Sequence, residues 1–152
     1  MPEATATRPA IDGWFAVGDD GAHLIGARCG ECRTYVFPPR ATGCPNPACT
    51  NDELDAVPLA RTGTLWSYTE NRYQPPPPYP QTPLSGEGPF EPYALAAVEL
   101  ADEGLVVLGK AAAGVLAVDL RVGMTMELAI EPLYVDDGGD ERTVYVWKPV
   151  GP

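Results

Sequence analysis

The residues of this 152-residue sequence whose types and spacing could do chemistry are its four cysteines. Cys29 and Cys32 flank two residues, eleven follow, and then Cys44 and Cys49 flank four. A Cys-x-x-Cys turn lets backbone amides and two thiolates converge on one ion, and a second pair completes a tetrahedral four-sulfur zinc site. Gly30, Pro45 and Pro47 suit the tight turns that such knuckles require. Two disulfides and a redox Cys-x-x-Cys are the competing readings. Disulfides need an oxidising compartment, yet Met1 to Arg8 lack the basic start and apolar block of a secretory signal. A redox pair would leave Cys44 and Cys49 without a role. Four protein sulfurs close the coordination shell and leave no position for an activated water, so one structural zinc per chain is expected and a zinc hydrolase is not.

The remaining catalytic supply is poor. His23 is the only histidine, and Ser67 and Ser85 stand in no nucleophile-elbow sequence. The paired acids, Asp19-Asp20, Asp52-Glu53-Asp55 and Asp136-Asp137, fall in turn-rich stretches and read as solvated loop charge. Ten Lys and Arg against 21 Asp and Glu give a net charge of −11, which disfavours nucleic acid and anionic membrane surfaces as partners. Charge is uneven, however. Residues 21–50 carry Arg28, Arg33 and Arg40 against Glu31 alone, a basic island that could meet ligand phosphates or an acidic protein surface. Thiolates around zinc would also attract arginines. No apolar run reaches the roughly eighteen residues of a membrane helix, and a cytoplasmic protein is expected.

The elements that must position these groups are short strands. Residues 1–10 read as a tail and Ile11 to Phe15 as a short apolar patch, closed by a Gly/Asp turn. Ala22 to Arg28 reads as a strand leading into the first cysteine pair. From residue 63 the pattern has period two. Thr64, Trp66 and Tyr68 share one face of a first strand; Tyr93–Leu100, Leu105–Leu108, Met124–Glu131 and a run around Val144 and Val146 supply four more. Ala111 to Leu120 offers one or two helical turns. Five strands with a short helical connection after the third match an OB-fold, a small Greek-key barrel. The organisation expected is therefore 1–21 tail and apolar segment, 22–58 zinc ribbon, and 59–152 barrel. Between the first two strands, Gln74 to Pro92 carries eight of the 18 prolines, far longer than a hairpin loop and suited to ordering on a partner.

In this order the features resemble the acyl-CoA-associated zinc-ribbon and OB-fold proteins, which accompany thiolase-like enzymes and include the accessory subunit of steroid side-chain aldolases. The resemblance rests on Cys29-Gly30-Glu31-Cys32, Phe37-Pro38-Pro39-Arg40, the second cysteine pair, Gly63 to Thr69, Pro92 to Leu100 and Val122-Gly123-Met124, and runs from about residue 22 to the end. Where such proteins commonly open with an amphipathic helix, Gly13-Trp14-Phe15 here is followed by a turn. What the resemblance implies is a mainly β protein, an N-terminal rubredoxin-like zinc ribbon followed by a five-stranded OB-fold barrel. It also implies a non-catalytic role, docked on a thiolase-like subunit of an aldolase, thiolase or acyltransferase. On that reading Tyr73, Tyr79 and Phe90 lie at the partner interface, and Arg33 and Arg40 meet a CoA phosphate of the acyl-CoA substrate or an acidic partner surface. Single-stranded nucleic-acid binding, with Trp66, Tyr68 and Tyr73 as a stacking platform, is the alternative, and total charge weighs against it.

Overall fold

The computed structural model describes residues 7–73 and 90–150 of the chain. Two β-sheets hold almost all regular structure. Strands β2 (Phe15–Gly18), β3 (Gly21–Cys29), β4 (Tyr35–Val36) and β5 (Leu54–Pro58) form the smaller one, in which β3 pairs antiparallel with each of the other three. The β2–β3 hairpin takes up the end of the short apolar patch and the Gly/Asp turn that closes it. Its turn closes at Gly21, whose φ of 101° suits glycine and whose α-carbon lies against the Arg61 guanidinium.

Strands β6 (Thr62–Asn71), β7 (Tyr93–Leu100), β8 (Leu105–Ala111), β9 (Thr125–Val135) and β10 (Glu141–Pro149) form a closed five-stranded barrel. Adjacent strands pair in the cycle β6-β7-β8-β10-β9 and back to β6. Alternation along β7 places Ala94, Ala96, Val98 and Leu100 in the core, and along β9 Met126 and Leu128, as period two dictates. The connection after β8 contains one 3₁₀ turn, Ala117–Asp119, in which the Asp119 carboxylate accepts the Leu116 N–H at 2.9 Å. Val115 and Ala117 pack on the core there, while Leu116 and Val118 point to solvent.

Three details depart from the sequence reading. Thr7–Pro9, expected to be tail, form strand β1, parallel to β10 in the register Thr7 to Glu141, Arg8 to Arg142 and Pro9 to Thr143. The cause is an edge. β8 covers β10 only at Val146 and Trp147, so the first half of β10 offers unpaired backbone groups that β1 satisfies. The Ala10 N–H donates to Thr143 O at 2.8 Å, and Arg8 pairs with Asp140 at 3.3 Å.

Second, β6 carries a bulge between Leu65 and Ser67. Leu65 is opposite Val98, Ser67 opposite Ala97 and Tyr68 opposite Ala96, so Tyr68 falls in register with the inward row of β7 while Thr64 stands opposite the exposed Glu99. Thr64, Trp66 and Tyr68 therefore do not share one face, because the inserted residue breaks the alternation.

Third, Asp136 is not simply solvated. Its carboxylate accepts the Gly138 and Asp140 N–H groups at 3.0 and 2.9 Å and the Arg142 Nε–H at 2.9 Å, which closes the β9–β10 turn. The Asp140 N–H, assisted by Arg142 and opposed by partial burial, holds its carboxyl below the usual carboxylate value. A depressed folded-state value contributes stability above the unfolded value that is lost as pH falls through the folded one. Asp136→Asn is accordingly expected to lower the melting temperature at neutral pH, with the gap to the parent chain closing below about pH 4. Equal melting at both pH values would remove the turn from the stability account.

The two sheets share one core. Phe15 and Leu24 from the first, with Leu59 of the linker, pack with Leu65, Val98, Met126 and Trp147 of the barrel. Phe37, the start of the Phe-Pro-Pro-Arg run, stands edge-on between Trp14 at 5.6 Å and Tyr145 at 5.9 Å. The linker is held as well: Leu59 N–H donates to Leu24 O at 2.9 Å, and Ala60 N–H to the Glu103 carboxylate at 3.2 Å. Among the described residues no helix is long and apolar enough to cross a membrane.

Candidate metal centre

Cys29 ends β3, and the chain then turns so that Arg33 N–H donates to Cys29 O and Cys29 N–H to Thr34 O, both at 2.9 Å. Arg33 closes this knuckle with a φ of 65°, in the left-handed region that favours glycine. The second knuckle is built on Asn46, whose side chain accepts the Ala48 N–H at 2.9 Å and whose carbonyl accepts the Cys49 N–H at 3.0 Å. That extra turn absorbs the longer Cys44 to Cys49 spacing.

The four Sγ atoms lie within 4.8 Å of one another. Cys29 Sγ is 3.8 Å from Cys49 Sγ, and Cys32 Sγ is 3.4 Å from Cys44 Sγ. A zinc–sulfur length of about 2.3 Å gives tetrahedral S···S edges of about 3.8 Å, so the donor set fits one ion. Soft thiolates in this geometry select zinc over hard cations. Each sulfur also accepts the backbone N–H two residues on, from Glu31, Thr34, Asn46 and Asn51 in turn. These amides neutralise part of the thiolate charge that four ligands bring to a divalent ion.

Two side chains complete the shell. The Asn51 amide donates to Cys29 Sγ at 3.2 Å and to Glu53 O at 2.8 Å, and Thr34 Oγ1 lies 3.2 Å from Cys32 Sγ. Sequence reasoning missed both residues. Their signal was positional: each follows the second cysteine of a pair by two residues. Asn51 and the Cys32 N–H favour the Cys29 thiolate, and the Thr34 hydroxyl and N–H bring Cys32 down to about 6. Cys44 behaves oppositely. The Asn46 N–H favours its thiolate, but burial and the three neighbouring sulfurs push it up to about 12.

The other candidate residues lie apart from this centre. Arg33 and Arg40 are both exposed on the ribbon. Tyr73 is 74% exposed just beyond β6, and Phe90 stands edge-on to Tyr93 at 6.0 Å. Tyr79 lies outside the described residues. His23 sits within β3 opposite Ala16.

Comparison with known proteins agrees with this architecture. Residues 22–55 match the family described as the ChsH2 rubredoxin-like zinc ribbon domain, and residues 56–131 the ChsH2 C-terminal OB-fold domain. A solved structure titled Ltp2-ChsH2(DUF35) aldolase contains a chain 30% identical to this one, with a TM-score of 0.61, covering 93% of this chain and 98% of that one. The chain is 29% identical, over 99% of its own length, to a protein of Thermomonospora curvata named probable enoyl-CoA hydratase alpha subunit. Over 32% of its length it is 39% identical to the benzoylsuccinyl-CoA thiolase subunit BbsA of Thauera aromatica. It spans 42% and 32% of these two curated relatives. By its paired domains, its cysteine centre and its matched length, the chain belongs to the ChsH2 family of zinc-ribbon and OB-fold proteins.

Proposed function

We propose that the chain is the non-catalytic accessory subunit of a thiolase-like enzyme acting on an acyl-CoA thioester. The observations that carry this reading are the ChsH2 domain matches and the near full-length match to a chain of the solved Ltp2-ChsH2(DUF35) aldolase, whose name pairs ChsH2 with a second component, Ltp2. The names of the two curated relatives, an enoyl-CoA hydratase subunit and a benzoylsuccinyl-CoA thiolase subunit, support the acyl-CoA class. A four-sulfur centre, closed to water and substrate, supports a structural use of zinc, and the chemistry then resides in the partner. The aldolase match favours carbon–carbon cleavage, of the retro-aldol kind acting on a steroid side chain, over acyl transfer. The barrel and ribbon dock on the partner, stabilise it and border its acyl-CoA channel, with Tyr73, Tyr79 and Phe90 at that border.

The test is purification of the tagged chain from its own cells followed by intact-complex mass spectrometry. A thiolase-like subunit in fixed ratio, with one zinc per copy of this chain, is the expected result. A solitary zinc-loaded chain, or one carrying an oligonucleotide, would overturn the reading.

Arg33 and Arg40 are assigned to the CoA phosphates or to an acidic patch of the partner. The left-handed backbone at Arg33 supports this, since glycine would close the knuckle with less strain and the arginine side chain is present there despite it. Arg33→Glu with Arg40→Glu is expected to weaken complex formation or raise the KM for acyl-CoA about tenfold or more, at unchanged zinc content. No change in either quantity would return the basic island to a role beside the zinc thiolates alone.

A further inference from the structure

One residue outside the cysteine set is hydrogen-bonded to cysteines of both pairs. The Asn51 N–H donates to Cys49 Sγ, its carbonyl accepts the Cys44 N–H at 3.3 Å, and its side-chain amide donates to Cys29 Sγ at 3.2 Å. Glu53 fixes the orientation of that amide: Nδ2 donates to Glu53 O at 2.8 Å while Oδ1 accepts the Glu53 N–H at 3.3 Å. Turned over, the amide would set its oxygen against both Glu53 O and the Cys29 sulfur, so an N–H toward sulfur is the satisfied arrangement.

The two knuckles need this residue unequally. The first is closed by its own turn, since the Arg33 N–H to Cys29 O and Cys29 N–H to Thr34 O bonds enclose Cys32. In the second, the turn runs from Asn46 to Cys49 and leaves Cys44 outside it. Two intervening residues bring a pair of sulfurs to one ion by the turn alone, whereas four leave more backbone torsions to fix before the pair converges. The bonds from Asn51 to Cys44 and Cys49 supply that restraint within the second knuckle, and its bond to Cys29 carries the restraint across to the first. We propose that Asn51 is the positioning residue of the metal centre, the staple that lets the wide knuckle close on the same ion as the narrow one. Thr34 is the contrast. Its hydroxyl meets Cys32 Sγ at 3.2 Å, and its hydrogen bonds to cysteine stay within the first knuckle, so it tunes one sulfur without joining the two pairs. The assignment concerns metal retention and is independent of the accessory-subunit reading.

The test uses the full chain, with zinc and cobalt(II) as probes. Zinc affinity is measured by competition with a chromophoric chelator. The sulfur-to-cobalt charge-transfer band is recorded at saturating cobalt, where a tetrahedral spectrum establishes that each variant has folded around the ion. Asn51→Asp keeps the volume and the bond from the Glu53 N–H but sets a carboxylate oxygen against the thiolate. It is expected to lose about 100-fold in zinc affinity, Asn51→Ala about tenfold or more, and Thr34→Val about threefold or less. Asn51→Ala and Thr34→Val should both move the charge-transfer band to lower energy, because a thiolate relieved of a hydrogen bond is a stronger donor. A loss of stability alone would not move it. Zinc affinity of both Asn51 variants within about threefold of the parent chain would overturn the proposal. So would an equal loss in Thr34→Val, which would assign the effect to hydrogen bonding at any one sulfur, and so would an unmoved band in Asn51→Ala. Should Asn51→Asp take up no metal, the alanine variant alone decides.

Discussion

Removal of the metal, by a chelator or by Cys32→Ser or Cys49→Ser, is expected to abolish protected structure in the ribbon. Its own buried cluster consists of Ala27, Cys29 and Leu54, with Val36 and the remaining cysteines partly buried against it. That is too little apolar surface to offset the entropy of ordering β4, β5 and two knuckles. Zinc binding contributes on the order of 10 kcal/mol in such modules, so the metal decides whether this part is folded. β3 is shared, since Leu24 belongs to the larger core while Cys29 belongs to the smaller. Loss of zinc should therefore expose amides from Ala27 to Asp55 to exchange, and leave those of β7 and β9 protected. Hydrogen exchange with and without chelator measures this directly. Ribbon amides that stay protected in the metal-free chain would show that packing on the barrel suffices. The pH dependence has a defined sign. Zinc displaces protons from thiols, so retention falls as pH falls, and a cluster in which Cys44 is pushed up to about 12 has protons to release at neutral pH.

Trp147→Ala is expected to cost about 3–5 kcal/mol, a large fraction of the roughly 5–15 kcal/mol by which such domains are stable. Trp147 is wholly buried, the largest such side chain, at the point where the barrel closes. β8 and β10 meet there through only two residue pairs, Val146 with Lys110 and Trp147 with Ala111, extended by the Ala112 N–H to Trp147 O bond at 2.9 Å. The indole supplies what the short ladder lacks. It packs where Gly109 leaves room, since a Cβ on that glycine would come to 2.9 Å from the Trp147 ring and 2.8 Å from that of Tyr145. Gly109→Val should consequently destabilise as well, by overpacking the same seam. Trp147→Phe should cost less than alanine, because it keeps most of the volume and removes an indole N–H that has no acceptor among the described residues. Urea unfolding of the zinc-loaded chain measures all three. An alanine variant with an unchanged midpoint would mean that β9 alone holds β10 in place.

Both expectations start from features legible in the chain, but to different depths. The cysteine pairs are local patterns, and ligand identity, tetrahedral closure and the structural use of zinc follow from spacing and donor chemistry alone. Strand β7, read as Tyr93–Leu100, is found at those bounds, and β9 alternates as its methionines and leucine indicated. Period two is a property of neighbours along the chain, so these elements need no tertiary information. The five-strand count with a short connection after the third was likewise enough for the barrel.

What could not be read depends on partners distant in sequence. The ordering of Thr7–Pro9 depends on an edge of β10 more than 130 residues away, left open because β8 is too short to cover it. That Tyr68 falls in register with the inward row of β7 depends on a register shift after Leu65, which no pattern within β6 records. Asp136 looked like loop charge until Arg142 and two amides were folded onto it. Composition and spacing determined the metal, the strands and the class of fold, because those arise from short-range chemistry. Tertiary structure decided which edge a terminal segment fills, which aromatic shares the inward register and which carboxylate is held, because each of these is set by long-range pairing whose energy the local sequence does not carry.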